Sequence, residues 1–178
     1  MATIEIDQSG KWEAPTHTVI GVCIGKKIYS ALITQKTKST VQSILGKFDQ
    51  EKSRSKKKLI IRMFTYSIFL TIGDITREGD VIIIDNEYQG NESMIRDLLI
   101  HLFNKFKGMK FGAKTIMFEQ IGRDSLAHAA AYQTFTYGRS PDRQLSFEDY
   151  HSILDKTIEI RKKALLRRKK NLNRDEKR

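Results

Sequence analysis

The sequence predicts an α/β domain whose mixed sheet opens with an antiparallel meander and closes on parallel strands separated by helices. Three observations carry that prediction. Residues 3–7, 17–24 and 27–33 are short runs rich in β-branched side chains, and Gly25-Lys26 between the last two reads as a hairpin turn. Val81-Ile82-Ile83-Ile84-Asp85-Asn86 is a continuous apolar run set off by Gly79-Asp80, the pattern of a buried central strand. A helical repeat over 91–106 then precedes another strand at 114–118, and a crossover helix makes the strands it joins parallel.

Each element has its own local reason. Thr3-Ile4-Glu5-Ile6-Asp7 alternates apolar and polar residues with the period of a strand and ends on an acid. Val41, Ile44, Leu45 and Phe48 recur at intervals of three and four, which predicts a one-sided helix over 36–48. The basic segment 52–58 reads as a loop, and the Ile, Phe, Tyr and Thr content of 59–72 suggests one long strand or two. Met94, Ile95, Leu98, Leu99, Leu102, Phe103 and Phe106 form the apolar stripe of the 91–106 helix, closed by Gly108 and Gly112. Gly122-Arg123-Asp124 breaks the chain and offers Asp124 as a helix cap, after which small residues let the helix approach the sheet closely.

Composition narrows the function. The 178 residues are 39% hydrophobic with two prolines, enough for one domain with a full core. No apolar stretch is long enough to cross a bilayer and no charged-then-apolar leader follows Met1, so a soluble, cytoplasmic protein is expected. One cysteine and four histidines exclude a disulfide framework and a zinc site, and Cys23 inside an apolar strand reads as a buried structural thiol. Thirty-two Lys and Arg against 21 acids give a net charge of +11, clustered at 52–58 and 161–170, which points to a polyanionic partner.

Asp85 ends the central strand, at the carboxyl edge where open α/β sheets place ligands. Asp7 ends the first strand and Asp124 starts the late helix. If all three acids converge, their repulsion calls for a cation, and oxygen ligands open to water select Mg²⁺ or Mn²⁺. Two such ions can clamp a scissile phosphate, a chemistry suited to a basic protein.

Ile4-Glu5-Ile6-Asp7-Gln8-Ser9-Gly10, Ile84-Asp85-Asn86-Glu87-Tyr88 and Asp124-Ser125-Leu126-Ala127-His128-Ala129-Ala130-Ala131 together resemble the first-strand, fourth-strand and late-helix motifs of the ribonuclease H-like superfamily, across residues 1–137. The resemblance implies a five-stranded mixed sheet, three antiparallel strands then two parallel, flanked by helices. It also implies a two-metal nuclease with Asp7, Asp85 and Asp124 as metal ligands and His128 orienting water or steering product release. Many relatives carry Glu after the first Asp where this chain has Gln8, so a further carboxylate is sought at Glu87 or Glu119. Single-stranded DNA, RNA/DNA hybrid and branched DNA all stand as substrates, and a catalytically inactive nucleic-acid-binding module of the same fold is the alternative.

The nuclease domain is expected over 1–140, a basic amphipathic helix over 141–170 beginning near Ser146-Phe147-Glu148-Asp149, and a disordered tail over 171–178. Lys11, Arg123, Lys56, Lys57, Lys58, Arg167 and Arg168 are expected to grip phosphates, and Trp12 and Tyr88 to stack on unpaired bases, which favours single strands. The apolar stripe of the last helix leaves membrane binding or a homo-oligomer as other uses for it.

Overall fold

The computed structural model describes residues 1–49 and 56–154. Six strands form one mixed sheet: β1 (Thr3–Ser9), β2 (Thr18–Ile24), β3 (Lys27–Ile33), β4 (Val81–Asp85), β5 (Ile116–Glu119) and β6 (Arg143–Leu145). Their order across the sheet is β5-β4-β1-β2-β3-β6. β2 runs antiparallel to both β1 and β3, whereas β4 pairs parallel with β1, β5 with β4 and β6 with β3. The meander and the parallel pair are as the local patterns predict. The five-strand count is corrected, because Arg143–Leu145 adds a short strand to the β3 edge within the segment expected to be turn and helix.

The helices are α1 (Gln35–Asp49), α2 (Lys56–Ile72), α3 (Glu92–Leu102) and α4 (Leu126–Tyr137), with residues 147–154 helical after β6. α3 continues as a π-helical turn, Phe103–Lys107, ended by Gly108 at φ 68°. Before residues 147–154, the Ser146 N–H donates to Asp149 Oδ2 at 2.7 Å, a reciprocal cap of the kind the local sequence suggested. Arg167, Arg168, the part of the expected basic helix beyond residue 154 and the expected tail over 171–178 lie outside the described residues, as does the start of the 52–58 segment.

α2 corrects the strand expected over 59–72. Its side chains from Ile61 to Phe69 are all buried, so it is a central helix surrounded by apolar matter and lacks an amphipathic signature. Its hydroxyls do not disturb this. Thr65, Ser67 and Thr71 each donate to the carbonyl four residues back at 2.7 Å, and Ser67 also meets the buried Tyr150 hydroxyl at 2.8 Å. Lys56, Lys57 and Lys58 form the exposed first turn of this helix instead of a loop.

The two faces of the sheet differ. Ile4, Ile6, Ile20, Val22, Ile82, Ile84 and Ile116 meet Ile61, Phe64, Ile68, Ile95 and Leu99 of the helices in one continuous core. Each such side chain contributes about 1.5–3 kcal/mol on burial, so this face holds the fold together. The opposite face of β1, β2 and β3 is covered by α4, which buries only Ala127, Ala130, Ala131 and Thr134 against it. Gly21 on β2 lets the helix come that close, since a Cβ there would lie 2.6 Å from the Ala131 nitrogen.

Candidate active site

Side chains alternate along β1, so Ile4 and Ile6 enter the core while Glu5 and Asp7 face α4. The parallel register pairs Ile6 with Ile84, and one step further sets Asp7 beside Asp85. Asp85 in turn pairs with Glu119. Three acids therefore stand in a row across β1, β4 and β5; Asp85 and Glu119 are last in their strands, as predicted for Asp85, whereas Asp7 lies two residues before the end of β1, because pairing with β2 carries that strand on to Ser9. Asp7 is buried, Asp85 half-buried and Glu119 exposed.

Each central acid is anchored by one oxygen. Asp7 Oδ2 lies 2.8 Å from His128 Nδ1, which donates when the carboxylate is ionised. Asp85 Oδ1 accepts the Ile121 backbone N–H at 2.7 Å. Burial pushes the Asp7 carboxyl above the usual carboxylate range; the Asp85 charge adds to the rise, and the Gln8 N–H and His128 oppose it. Burial likewise raises Glu87, with Asp85, Asp7 and Glu13 adding to the effect and Lys11 opposing it. Asp7, Asp85 and Glu87 thus share one strained anionic field. Glu87, a candidate from sequence because it follows Asp85 by two residues, belongs to that field.

Asp124 does not. It is exposed in the turn before α4, and the charges acting on Asp7 are those of Asp85 and His128. Ser125 rather than Asp124 caps the helix, accepting the Ala127 N–H at 3.1 Å and donating to Glu5 Oε2 at 2.9 Å. A serine at the N-cap takes the role expected of Asp124, because the helix begins one residue later.

Among the described residues no three His, Cys, Asp or Glu side chains are gathered closely enough to hold a metal ion. The donor chemistry of the row nevertheless fits a hard divalent cation. Mg²⁺ is commonly held by one or two carboxylates, with water and substrate phosphate completing its shell. Asp7 and Asp85 supply such a pair, and the raised carboxyls of Asp7 and Glu87 are what a cation would relieve.

The stacking expected of Trp12 and Tyr88 is corrected. Trp12 is 3% exposed, edge-on to Tyr150 at 6.1 Å between centroids, so its ring belongs to the core. Tyr88 packs on Phe64 at 4.8 Å, and its hydroxyl sits 3.4 Å from the Gln8 amide. Gln8 lies on the side of β1 away from Asp7, where it positions Tyr88, and so takes no part in the acidic row. Burial raises the Tyr88 phenol to about 12.

Lys38 escaped sequence reasoning, because a lysine on a helix normally reads as exposed. Its ammonium is buried and donates to the carbonyls of Lys11 (2.9 Å), Ala14 (3.0 Å) and Thr16 (2.8 Å) and to the Thr18 hydroxyl (3.0 Å). It ties down the β1–β2 loop that carries Lys11 and Glu13 beside Glu87. Burial lowers its pKa to about 8, which leaves it charged at neutral pH. Lys11 and Arg123 are exposed, the first on that loop and the second in the turn before α4. Cys23 is buried, with burial and then Glu5 pushing its thiol upward, as an inert structural thiol requires. Among the described residues no helix is long and apolar enough to cross a membrane. No family model, curated protein or solved structure matches the chain.

Proposed function

We propose that the protein is a divalent-metal-dependent nuclease of ribonuclease H-like architecture, acting on phosphodiester bonds of nucleic acid. The observation that carries the reading is the juxtaposition of Asp7 and Asp85 on adjacent parallel strands, with Glu87 raised by burial and then by both of them. The strand order β5-β4-β1-β2-β3 supports the architecture, since it sets a central first strand between an antiparallel meander and a parallel pair. The net charge of +11 supports the polyanionic substrate.

In this reading Asp7 and Asp85 hold Mg²⁺ or Mn²⁺, with Glu87 or Glu119 completing the set. The bound ion supplies an activated water and stabilises charge on the leaving oxygen. His128 fixes the Asp7 carboxylate through Oδ2 and so sets its orientation, a positioning role. Lys11 and Arg123 hold the phosphodiester backbone at the rim. Asp124 is left as a surface acid with no assigned part in holding the ion.

The test is incubation with labelled single strand, duplex, RNA/DNA hybrid and four-way junction in Mg²⁺, Mn²⁺ or EDTA. Metal-dependent cleavage that Asp7→Asn and Asp85→Asn abolish, and Asp124→Asn leaves largely intact, is expected. Binding to any of these substrates with no cleavage in either metal would refute the enzyme and leave a nucleic-acid-binding module.

A further inference from the structure

α4 carries an aromatic surface that the catalytic reading does not use. His128, whose ring nitrogen meets Asp7, stacks on Tyr132 one turn later, with centroids 5.8 Å apart and planes 13° from parallel. Tyr132 is met edge-on by Tyr137, with centroids 5.7 Å apart. Both tyrosines are open to solvent, Tyr132 43% and Tyr137 74% exposed. The rings thus form a continuous path that begins at the buried acid and ends at the far end of the helix.

The charge around that path is suited to phosphates. Leu126–Tyr137 contains no acid, while Arg123 stands before it and Arg139 follows its capping glycine. Asp124 is the acid at its near end. Exposed aromatic rings on a helix without carboxylates, in a chain of net charge +11, fit bases with a free π-face and a backbone gripped on either side. A duplex keeps those faces paired and stacked, so it cannot use the rings.

We infer that Tyr132 and Tyr137 are a stacking track on which a single strand of nucleic acid lies as it enters the acidic row at Asp7. This deepens the nuclease reading and rests on it for the direction of travel, although the binding itself requires no metal and no cleavage. The stacking expected of Trp12 and Tyr88 is thereby moved to residues whose rings are accessible.

The experiment measures binding of a fluorescent oligothymidine, as a single strand and annealed to its complement, by anisotropy in EDTA at fixed ionic strength. Wild type is expected to prefer the single strand. Tyr132→Ala and Tyr137→Ala should each weaken single-strand binding roughly fivefold to a hundredfold and leave duplex binding and the salt slope unchanged. Tyr132→Phe and Tyr137→Phe, which keep the ring, should bind within about threefold of wild type. Far-UV circular dichroism verifies folding, which these exposed positions should not disturb.

Alanine variants that bind the single strand as tightly as wild type would overturn the track. So would a tyrosine-dependent self-association seen by sedimentation in place of strand binding, which would make the patch a protein-docking surface. The two readings fail separately. If wild type binds single strands through the tyrosines but cuts nothing in Mg²⁺ or Mn²⁺, the nuclease fails and the track stands. If it cuts, and the alanine variants cut equally well at subsaturating strand, the track fails and the nuclease stands.

Discussion

Gly21 lies on β2 directly beneath α4, and an alanine at that position would drive the helix off the sheet. The added Cβ would collide with the Ala127 carbonyl oxygen and sit 2.6 Å from the Ala131 nitrogen and 2.8 Å from the Ala131 Cβ, against about 3.4 Å for ordinary contact, so α4 must retreat by roughly 1 Å. The obstacles are backbone and a methyl group on it, which cannot rotate away. Overpacking of this kind costs about 1–3 kcal/mol, and for a chain of this length each kcal/mol lowers the melting temperature by about 2–4 °C. The retreat also stretches the 2.8 Å bond between His128 and Asp7 beyond hydrogen-bonding distance. If the protein cleaves as proposed, turnover should fall about ten- to hundredfold from that displacement alone. Scanning fluorimetry reads the stability, and a long-range ¹⁵N spectrum reads whether the His128 Nδ1 proton remains protected. Gly112→Ala is the control: φ there is −85° and a Cβ meets nothing within 4 Å, so little change or a slight gain is expected. A Gly21→Ala protein that melts within 1 °C of wild type (about 0.3 kcal/mol) with its His128 proton intact would refute the seating of α4 described above.

Further consequences concern charge. Asp7 and Glu87 are raised above their ordinary values of 3.8 and 4.5, so the folded protein holds their protons more tightly than the unfolded chain does. Without metal, their contribution to stability therefore grows as the pH falls from neutral through the raised values, levelling off below the ordinary ones. Asp7→Asn should melt higher than wild type at neutral pH in EDTA, and the gap should close on acidification. A gap that stays constant with pH would show that Asp7 is not raised. If Asp7 and Glu87 hold the ion as proposed, both must be ionised to do so, and Mg²⁺ affinity measured by calorimetry should fall on acidification at a higher pH than ordinary carboxylates would give. An affinity unchanged down to the ordinary range would remove these groups from the site. Lys38→Met leaves the carbonyls of Lys11, Ala14 and Thr16 without their cationic donor, and at about 1.5–3 kcal/mol for a bond to a charged group, partly recovered by water, a loss near 3 kcal/mol is expected. Urea denaturation reads it, and a loss under about 0.5 kcal/mol would mean that the ammonium does not organise that loop.

The meander, the central strand and the helix over 92–102 were legible from the chain because each rests on a local repeat. Asp85 was legible as the end of its strand for the same reason, since a strand that runs apolar up to an acid presents that acid at its end; Asp7 was legible only as facing the same side as Glu5, because pairing with β2 extends β1 to Ser9. The three corrections share a different cause. α2 carries β-branched and aromatic residues because it is buried on all sides, and burial overrides the strand propensity that those residues have on a half-exposed surface. Trp12 and Tyr88 sit beside acids in the sequence, yet their rings turn inward because Tyr150, Phe64 and Gln8, distant along the chain, provide surfaces for them. Arg143–Leu145 is too short to announce itself and is a strand only because β3 offers an open edge.

By itself the sequence determined the periodicities, the basic charge and the acid that ends the central strand, all of which depend on neighbours within a few positions. Only the tertiary structure decided that Asp7 bonds to His128, that Glu87 shares its field, that Ser125 and not Asp124 caps α4 and that Tyr132 and Tyr137 are exposed. Those outcomes follow from parallel register and from how closely α4 settles on Gly21, contacts between residues far apart in the chain that no local pattern encodes.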